Sequence, residues 1–506
     1  MLETCRWRWS LWLGCWGLIA GLSISGAEGG TNPGESLAGQ RVYPYADGVE
    51  LRVGDRVVGD TKDLRYPLRV EVEHGRWARV PSRLGPVWIA ICELIPAERA
   101  VTYFTRSLGR EPNDPHALFF RGMEWLERDN ASRAEADLNR LLELRPKHAA
   151  GWCLRAQVAR AMNRPQQALA DFTEAVRLAP NDPLLWRHRA EFRRKRLGQI
   201  TGAVEDATRA IELDPEWALA RYERGEGHRL LGDWERAIED DTLALCLNPE
   251  KGRYWRARGN VWFESGHPKR ALSDYSQALK RDETVAGTWV ARGHAHSQLG
   301  QVREALEDFA KALQLEPGLA AAHNGRGLLL LQTVGDPQQA LVEFHEALWL
   351  DAETPWVRAN RALGFAHLGE RERAWNDIRR AEREAPDQPW VKIVKSLLLS
   401  GWAEGDAGAA TEAAGLAWEG LAAGVGPQGE AWGALAAAMA AGGDYRGAVD
   451  CQRRALWESQ PGRQAEMARR MMSFLTHRPY RFPNKPLDHE WRSPSEETPL
   501  ETVRSN

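Results

Sequence analysis

One arginine returns along most of this 506-residue chain at an almost fixed interval of 34 or 35 residues. The eight positions are Arg121, Arg155, Arg189, Arg224, Arg258, Arg292, Arg326 and Arg361. A period of this length is typical of arrays of small helical units, each of which buries its apolar face only by stacking on its neighbours. The period therefore predicts a helical repeat array and indicates a chain that holds other molecules.

Further positions keep the same period and divide each unit into two helices. A stripe of alanine, an apolar residue and a second alanine at i, i+4 and i+7 lies in the second half of the units, as in Ala271, Tyr275 and Ala278. A proline closes most units, where it cannot donate the backbone hydrogen bond that would continue a helix. These prolines are Pro112, Pro146, Pro180, Pro215, Pro249, Pro317 and Pro386.

The first helix of each unit has its own pattern around the recurring arginine. Tryptophan stands three residues before it in four units, and glycine follows it directly in five. Together these offsets resemble the tetratricopeptide repeat, in eight full units from about 113 to 386. The resemblance implies a mainly α solenoid, a right-handed superhelix of helix-turn-helix units. With a lone helix at 97–111 and weaker repeats after 386, we expect about 20 consecutive antiparallel helices between 97 and 476.

The arginine itself departs from the tetratricopeptide pattern, which has an apolar residue at this place. Burying a guanidinium without a partner is costly, and an acid follows each arginine by 16 or 17 residues. We therefore expect eight ion pairs inside the units, with a charged ladder for a ligand as the alternative. The acids, in chain order, are Asp137, Asp171, Asp206, Asp240, Asp274, Asp308, Glu343 and Asp377.

The resemblance also implies that the first helices line a groove that binds partners. At the groove positions the third to fifth units carry basic residues, with an asparagine beside them, which favours an acidic or extended peptide as ligand; solvated arginines without a ligand are the alternative. These candidates are Arg187, Arg194, Lys195, Arg229, Arg253, Arg256 and Asn260. Later units carry Leu328, Leu331 and Leu363, which predict a groove that becomes apolar toward the C-terminus.

The N-terminus carries a targeting signal. Residues 1–27 combine a basic flank, a short apolar run and small residues at the end, as secretory signals do, and 28–39 form a linker. We expect cleavage after Ala27 and a chain that works in the periplasm or outside the cell. An uncleaved membrane anchor or a lipid anchor at Cys15 is the alternative.

Residues 40–96 do not follow the helical period. Their short apolar alternations are broken by glycine, aspartate and proline, which is typical of a small antiparallel β-barrel. The segments LRVGDRVVG, VEVEHGRWARV and GPVWI resemble bacterial Src-homology-3-like domains. The resemblance implies a small binding module, in some relatives for cell-wall peptides or protein segments, with Tyr43, Tyr45, Trp77 and Trp88 as candidate contacts. The short junction to residue 97 indicates a barrel docked as a cap on the array.

Past Pro386 the period weakens, and residues 387–476 predict degenerate helices of the same kind, with a mobile connection in the glycine-rich stretch 401–443. The last segment, 477–506, contains five prolines and few apolar residues, which predicts a disordered tail.

Motifs for chemistry are missing from the sequence. It contains no phosphate-binding loop, nucleophile elbow, zinc-protease or kinase motif, and its four cysteines beyond the signal have no metal-ligand spacing. Cys153 and Cys246 are expected to be small buried residues. The formal net charge of -3 gives no indication of nucleic-acid binding. We therefore expect no cofactor and no metal.

Three functions remain open. The first is a non-enzymatic scaffold outside the cytoplasm that binds a protein or peptide on the groove. The second is a cell-envelope module whose β-barrel binds wall material. The third is an enzyme or regulatory subunit whose site is assembled across repeats. The sequence does not identify the partner.

Overall fold

The computed structural model describes residues 36–45, 49–53, 56–60, 68–74, 77–82, 85–402, 406–423, 428–458 and 464–482. The predicted signal segment, most of the linker, parts of the glycine-rich connection and the chain beyond 482 lie outside these ranges. The chain divides into two compact units, Met1–Asp233 and Trp234–Asn506, each of which contains several repeats; these two are called the first unit and the second unit below.

Helices make up most of the described chain after residue 96, and the stretch 97–402, described without a gap, contains no strand. Within each compact unit, consecutive helices pack on each other and are joined by short connections, so neighbours are antiparallel. The mainly helical repeat solenoid predicted from the period is confirmed. The helices of the first unit are α1 Ala97–Arg110, α2 Pro115–Glu127, α3 Ala131–Leu144, α4 Ala149–Ala161, α5 Pro165–Leu178, α6 Pro183–Phe192, α7 Ile200–Leu213 and α8 Ala218–Leu230.

The second unit continues the same alternation of first and second helices. Its described helices are α9 Trp234–Leu247, α10 Gly252–Glu264, α11 Pro268–Arg281, α12 Ala286–Gln298, α13 Val302–Leu315, α14 Ala320–Leu329, α15 Pro337–Leu350, α16 Pro355–His367, α17 Arg371–Glu384, α18 Pro389–Gly401, α19 Ala407–Ala422, α20 Gln428–Ala441, α21 Tyr445–Glu458 and α22 Gln464–Leu475. The recurring arginines lie on the even-numbered helices α2 to α16.

Local signals in the sequence set where helices begin and how closely they pack. At the start of α6, the carboxylate of Asp182 accepts a hydrogen bond from the backbone NH of Leu184, and Pro183 occupies the first helical position. Between α10 and α11, a Cβ added to Gly259 would lie 2.7 Å from Cε1 of Tyr275. The glycine after the arginine therefore lets the two helices of a unit approach closely.

The N-terminal β region contains eight described strands in two antiparallel sheets. One sheet has the order β4-β1-β8 and the other β3-β2-β7-β6-β5. A small core that includes Leu51, Val80 and Ile89 lies inside the region. The strands are β1 Arg41–Pro44, β2 Glu50–Val53, β3 Arg56–Asp60, β4 Leu68–Arg69, β5 Val72–His74, β6 Trp77–Ser82, β7 Gly85–Ala90 and β8 Leu94–Pro96.

The β region packs on the first helices of its own unit. Tyr43 of β1 is fully buried, and its ring lies 5.6 Å from that of Phe120 on α2. Its hydroxyl donates a hydrogen bond of 2.6 Å to the buried carboxylate of Glu124, which also accepts from Arg128 at 2.9 Å. The sheet that contains β1 therefore covers the apolar end of the array, where a terminal repeat needs a cap.

The recurring arginine joins the helices through a bidentate ion pair. Arg258 of α10 donates from Nε and Nη2 to the two oxygens of Asp274 on α11, at 2.8 and 2.9 Å. Its third nitrogen, Nη1, lies 3.2 Å from the hydroxyl of Thr242 on α9. Asp274 is 5% exposed, so the pair is largely withdrawn from water. The guanidinium of Arg258 thus contacts the second helix of its own repeat, α11, and the second helix of the preceding repeat, α9.

Six further predicted pairs have the same partners in the structure, including the unit in which glutamate replaces aspartate. Their acids are all buried. The eighth predicted pair, Arg224 with Asp240, stays a prediction because the boundary between the two compact units falls between its residues. The six are Arg121–Asp137, Arg155–Asp171, Arg189–Asp206, Arg292–Asp308, Arg326–Glu343 and Arg361–Asp377.

The tryptophans three residues before the arginines are half-buried. Trp255 donates a 2.8 Å hydrogen bond from Nε1 to the carbonyl of Pro249, in the turn before α10. Its ring lies under the guanidinium of Arg258, with 5.3 Å between the ring centroid and Cζ. Trp152, Trp186 and Trp289 make the equivalent bonds. Each tryptophan therefore ties the turn between units to the ion pair.

Residues 477–482 are ordered, which corrects the prediction that the disordered tail begins at 477. Residues 477–482, placed by the sequence in a disordered segment, follow α22 and pack on the second unit. Phe482 is 4% exposed, with its ring 5.2 Å from Trp402 and 5.4 Å from His367. Proline content pointed to disorder, but one large aromatic ring in this segment finds a buried site between the helices.

We expect Arg258→Ala to lower the free energy of unfolding by about 3 kcal/mol or more, because it leaves Asp274 buried without a partner. Replacing both residues by leucine should cost less than the single change, since no buried charge remains. Urea unfolding measures both. Arg303→Ala is the matched control: this arginine is 88% exposed, pairs with Glu307 on the same helix and should contribute little. Parental stability of Arg258→Ala would contradict the structural role of the pair.

Candidate functional site

The predicted basic cluster divides between the two units. Arg187, Arg194, Lys195 and Arg229 belong to the first, while Arg253, Arg256 and Asn260 belong to the second. The two groups differ in what surrounds their charges.

In the first unit the predicted groove arginines already have acidic partners. Arg194 is buried and donates a 2.7 Å hydrogen bond to Glu223 of α8. Arg229 lies 3.1 Å from Glu226, one turn away on the same helix. Arg194 therefore holds α8 against the end of α6, Arg229 is paired within α8, and neither is a free cation. This corrects the prediction that they face an acidic ligand.

Arg187 and Lys195 share a third acid, Glu191 of α6. Arg187 Nη1 lies 3.0 Å from this carboxylate and Lys195 Nζ lies 2.7 Å from it. Burial alone would raise the pKa of Glu191, but the hydrogen bond from Lys195 and the charges of both cations lower it to about 2. Glu191 therefore remains ionised and neutralises its neighbours.

The acids were visible in the sequence at positions that the resemblance assigns to the groove. Glu191 and Glu226 each stand two residues after a recurring arginine, and the resemblance assigns that position to the groove. Reading only the basic residues at these positions missed them. Glu223, directly before Arg224, had no such signal, because its contact with Arg194 depends on how α6 ends.

The second unit presents two cations without such partners. Arg253 is exposed and Arg256 half-buried on α10, and neither makes a hydrogen bond or ion pair with any residue that the structure describes. They stand three residues apart, so they are neighbours on one face of the helix. Asn260, one turn further, accepts a 2.9 Å hydrogen bond from the hydroxyl of Tyr275. This short stretch of α10 is therefore a surface that can bind an anion.

Two first helices end in a single turn of π-helix. Both belong to repeats that are 35 rather than 34 residues long. The first π-turn is Arg193–Leu197, at the end of α6, and the second is Leu330–Val334, at the end of α14. In the second, the NH of Gly335 donates to the carbonyl of Leu330, five residues earlier, at 2.9 Å. Each π-turn is followed by a glycine in the left-handed region, Gly198 at φ 63° and Gly335 at φ 78°. The extra residue is thus absorbed between the arginine and its acid.

The second π-turn forms one wall of a cavity of about 290 Å³ inside the second unit. Leu331 and Leu363, predicted to make the later groove apolar, both line it, and so does Leu397 of α18. Residues of α22 and of the segment after it close the far side, with Arg470 and Tyr480 among them. The apolar part of the groove is therefore a defined cavity rather than an open strip.

The four aromatic candidates of the β region differ in their surroundings. Tyr43 is fully buried and hydrogen-bonded to Glu124 of α2, so it is not accessible to a ligand. Trp77 is half-buried, and the guanidinium of Arg52 lies 5.5 Å from its ring. Tyr45 is 39% exposed, and Trp88 is half-buried on β7.

Chemistry that needs a metal or a reactive cysteine finds no site among the described residues. They hold no group of three or more histidine, cysteine or acidic side chains arranged to bind a metal. Cys153 is buried, and burial raises its pKa to about 12, so its thiol is not reactive at neutral pH. Cys246 is exposed, which corrects the expectation that it is buried. Among the described helices, none has the length and apolar character needed to cross a bilayer.

Comparison with known proteins gives one consistent match. One family model, described as tetratricopeptide repeat, matches residues 149–182 and 286–319, and a second of the same description matches 97–149 and 193–246. A solved tetratricopeptide repeat protein from Parabacteroides merdae is 17% identical, with 50% of this chain and 98% of that chain covered and a TM-score of 0.44.

Two other solved structures resemble parts of the chain. YrrB, described as a TPR protein with an unusual peptide-binding site, is 23% identical over 36% of this chain and 92% of its own, with a TM-score of 0.29. PilW, described as a widely conserved type IV pilus biogenesis factor, is 18% identical over 40% of this chain and 94% of its own, with a TM-score of 0.38.

We expect Arg194→Gln to lower the free energy of unfolding by about 3 kcal/mol, because it leaves Glu223 buried without its cation. Arg253→Gln should leave stability unchanged, because this exposed arginine has no ion pair in the described part of the chain. Thermal or urea unfolding of the two variants measures the difference. Equal stability of the two would mean that Arg194 is a solvated cation after all.

Proposed function

We propose that this chain, whose helical units are tetratricopeptide repeats, is a non-enzymatic scaffold outside the cytoplasm that binds a protein or peptide segment on its first-helix face. The observation that carries the proposal is that Arg253 and Arg256 make no ion pair or hydrogen bond with any described residue, whereas the other four basic candidates are paired with acids. Repeat arrays of this kind act through such extended surfaces.

The binding surface of the second unit changes in character along the chain. It is basic at Arg253 and Arg256 on α10, and apolar residues follow at Leu328 and Leu331 at the end of α14 and at Leu363 on α16, of which Leu331 and Leu363 are buried in the wall of the cavity. Arginine can take a carboxylate with two parallel hydrogen bonds and stays charged at any relevant pH. An extended segment with acidic residues at one end and apolar residues at the other matches this order.

The basic residues of the first unit are left out of the binding surface for an energetic reason. A ligand carboxylate on Arg194 would have to displace Glu223, which would then lose its cation while still buried. The cost of leaving such a charge unpaired is about 3 to 5 kcal/mol. This is more than an exposed contact between a peptide and one arginine contributes.

Location outside the cytoplasm is part of the proposal and rests on the sequence of residues 1–27. The exposed thiol of Cys246 weighs against an oxidising compartment, so localisation needs its own experiment. We expect the protein recovered from fractionated cells to begin at Glu28 when its N-terminus is sequenced. An intact Met1 on a protein found in the cytoplasmic fraction would exclude export.

Binding by α10 is tested with a double charge reversal, Arg253→Glu with Arg256→Glu. Capture of partners from an envelope extract should fall at least tenfold, and the captured protein should dissociate more readily as salt rises from about 50 to 200 mM, because the contacts are exposed. Thermal unfolding should stay near the parent, since neither arginine is paired in the described structure.

The matched control carries the same change of charge on a second helix. Arg303 and Lys311 are both exposed on α13, and reversing both should leave capture intact. Undiminished capture by the α10 variant, with an unchanged fold, would remove this surface from the account. Deletion of residues 40–95 then asks whether the β region is the binding module instead.

A further inference from the structure

We propose that the cavity beside the second π-turn, Leu330–Val334, is a binding site for an apolar group that carries a carboxylate. This rests in part on the proposed function, because the cavity lies where the first-helix face of the second unit becomes apolar. Its ligand and its walls are nevertheless separate from the cations of α10.

The size of the cavity restricts what can enter. About 290 Å³ is at the lower end of the range for small-molecule pockets, so it suits one branched or aromatic group with a short polar end. An extended peptide cannot enter as a whole. Its last residue can, and so can a small free acid of the same chemistry.

The walls provide the apolar contacts. Leu331, Leu363 and Leu397 line the cavity from three different elements, the π-turn, α16 and α18. All three are buried in the array, so their positions are fixed by packing before a ligand arrives. Val334 lines the mouth and is 51% exposed, which leaves apolar surface for a ligand to cover.

The charge at the cavity favours an anion. Arg469 and Arg470 of α22 both line it, against the single acid Glu430 of α20. Arg469 is exposed and makes no hydrogen bond or ion pair with any part of the chain that the structure describes. Its guanidinium is therefore available to a carboxylate at the rim. An apolar group without an anion would use the walls and leave this cation unused.

The π-turn makes this wall because it contains one residue more than an ordinary helical turn. The repeat that contains Arg189 has the same insertion and also ends its first helix in a π-turn. In the remaining six repeats the arginine and acid are 16 residues apart, and the described first helices end without one. The insertion displaces the last turn of the helix, from Leu331 to Val334, which are the residues that line the cavity. Single π-turns of this kind occur often at functional sites.

The test titrates the full chain by calorimetry with three defined probes. They are 4-methylpentanoate, an N-acetylated pentapeptide that ends in leucine with a free carboxylate, and the same peptide as its C-terminal amide. The carboxylate peptide should bind at least tenfold more tightly than the amide. If the free acid binds as tightly as the peptide, the ligand is a small acid; tighter binding of the peptide identifies a chain end. Binding of neither carboxylate, or equal binding of the amide, would overturn the proposal.

Two pairs of variants locate the site. Arg469→Ala should weaken the carboxylate probe at least tenfold, while Arg453→Ala, an exposed arginine on α21, should have no effect. Deleting Gln332 restores a 34-residue unit and should abolish binding. Deleting Arg196 shortens the first π-turn in the same way and should leave binding unchanged.

The outcomes separate this inference from the proposed function. The double reversal at Arg253 and Arg256 should leave the probe affinity at its parental value. Probe binding that survives both Arg469→Ala and deletion of Gln332, in variants with parental unfolding transitions, would place the ligand elsewhere and refute the assignment. Loss of partner capture with intact probe binding would refer only to the α10 surface.

Discussion

The buried pair between an arginine and an acid is the interaction on which the rest of the structure depends. Its guanidinium lies between the two helices of one repeat. In several repeats it also contacts the second helix of the preceding repeat, as Arg258 does at Thr242. Because the acids are buried, a unit cannot shift against its neighbour without exposing or stranding a charge. The tryptophan ring that packs against the arginine also donates a hydrogen bond to the turn before the first helix, so this turn is connected to the ion pair. An array of small helices thereby acquires a fixed register from polar contacts, where related repeats rely on apolar packing.

A fixed register explains why one inserted residue has a large local effect. Where the chain contains 35 residues per unit, the arginine and acid keep their contact, so the extra residue must be taken up between them. It becomes a π-turn at the end of the first helix, on the face that we propose binds a partner. In the first unit this turn carries Arg194, whose charge is neutralised by Glu223. In the second it carries Leu331, which lines a cavity. The same insertion gives packing in one place and a pocket in the other.

The period in the sequence predicted the helices and the partners of the arginines because both follow from spacing alone. The pairing of Arg194 did not follow, since its partner Glu223 lies in the next repeat. Arg194, five residues after Arg189, and Arg253, five residues before Arg258, are both predicted groove cations in the sequence, yet one is buried against Glu223 and the other is exposed. The 17-residue spacing at Arg189 and Arg326 was the sequence signal of the π-turns. Phe482 shows the opposite limit, because composition predicts disorder without regard to where a single ring can be buried.

The central claim is that the first-helix face of the second unit is where a partner binds. Hydrogen–deuterium exchange of the full chain, with and without a captured partner, tests it most directly because it reports on every helix at once. The account predicts slower exchange in α10 and in residues 320–334 when the partner is present, and little change in the second helices α11 and α13. Protection confined to those second helices or to the β region at 40–96 would contradict it.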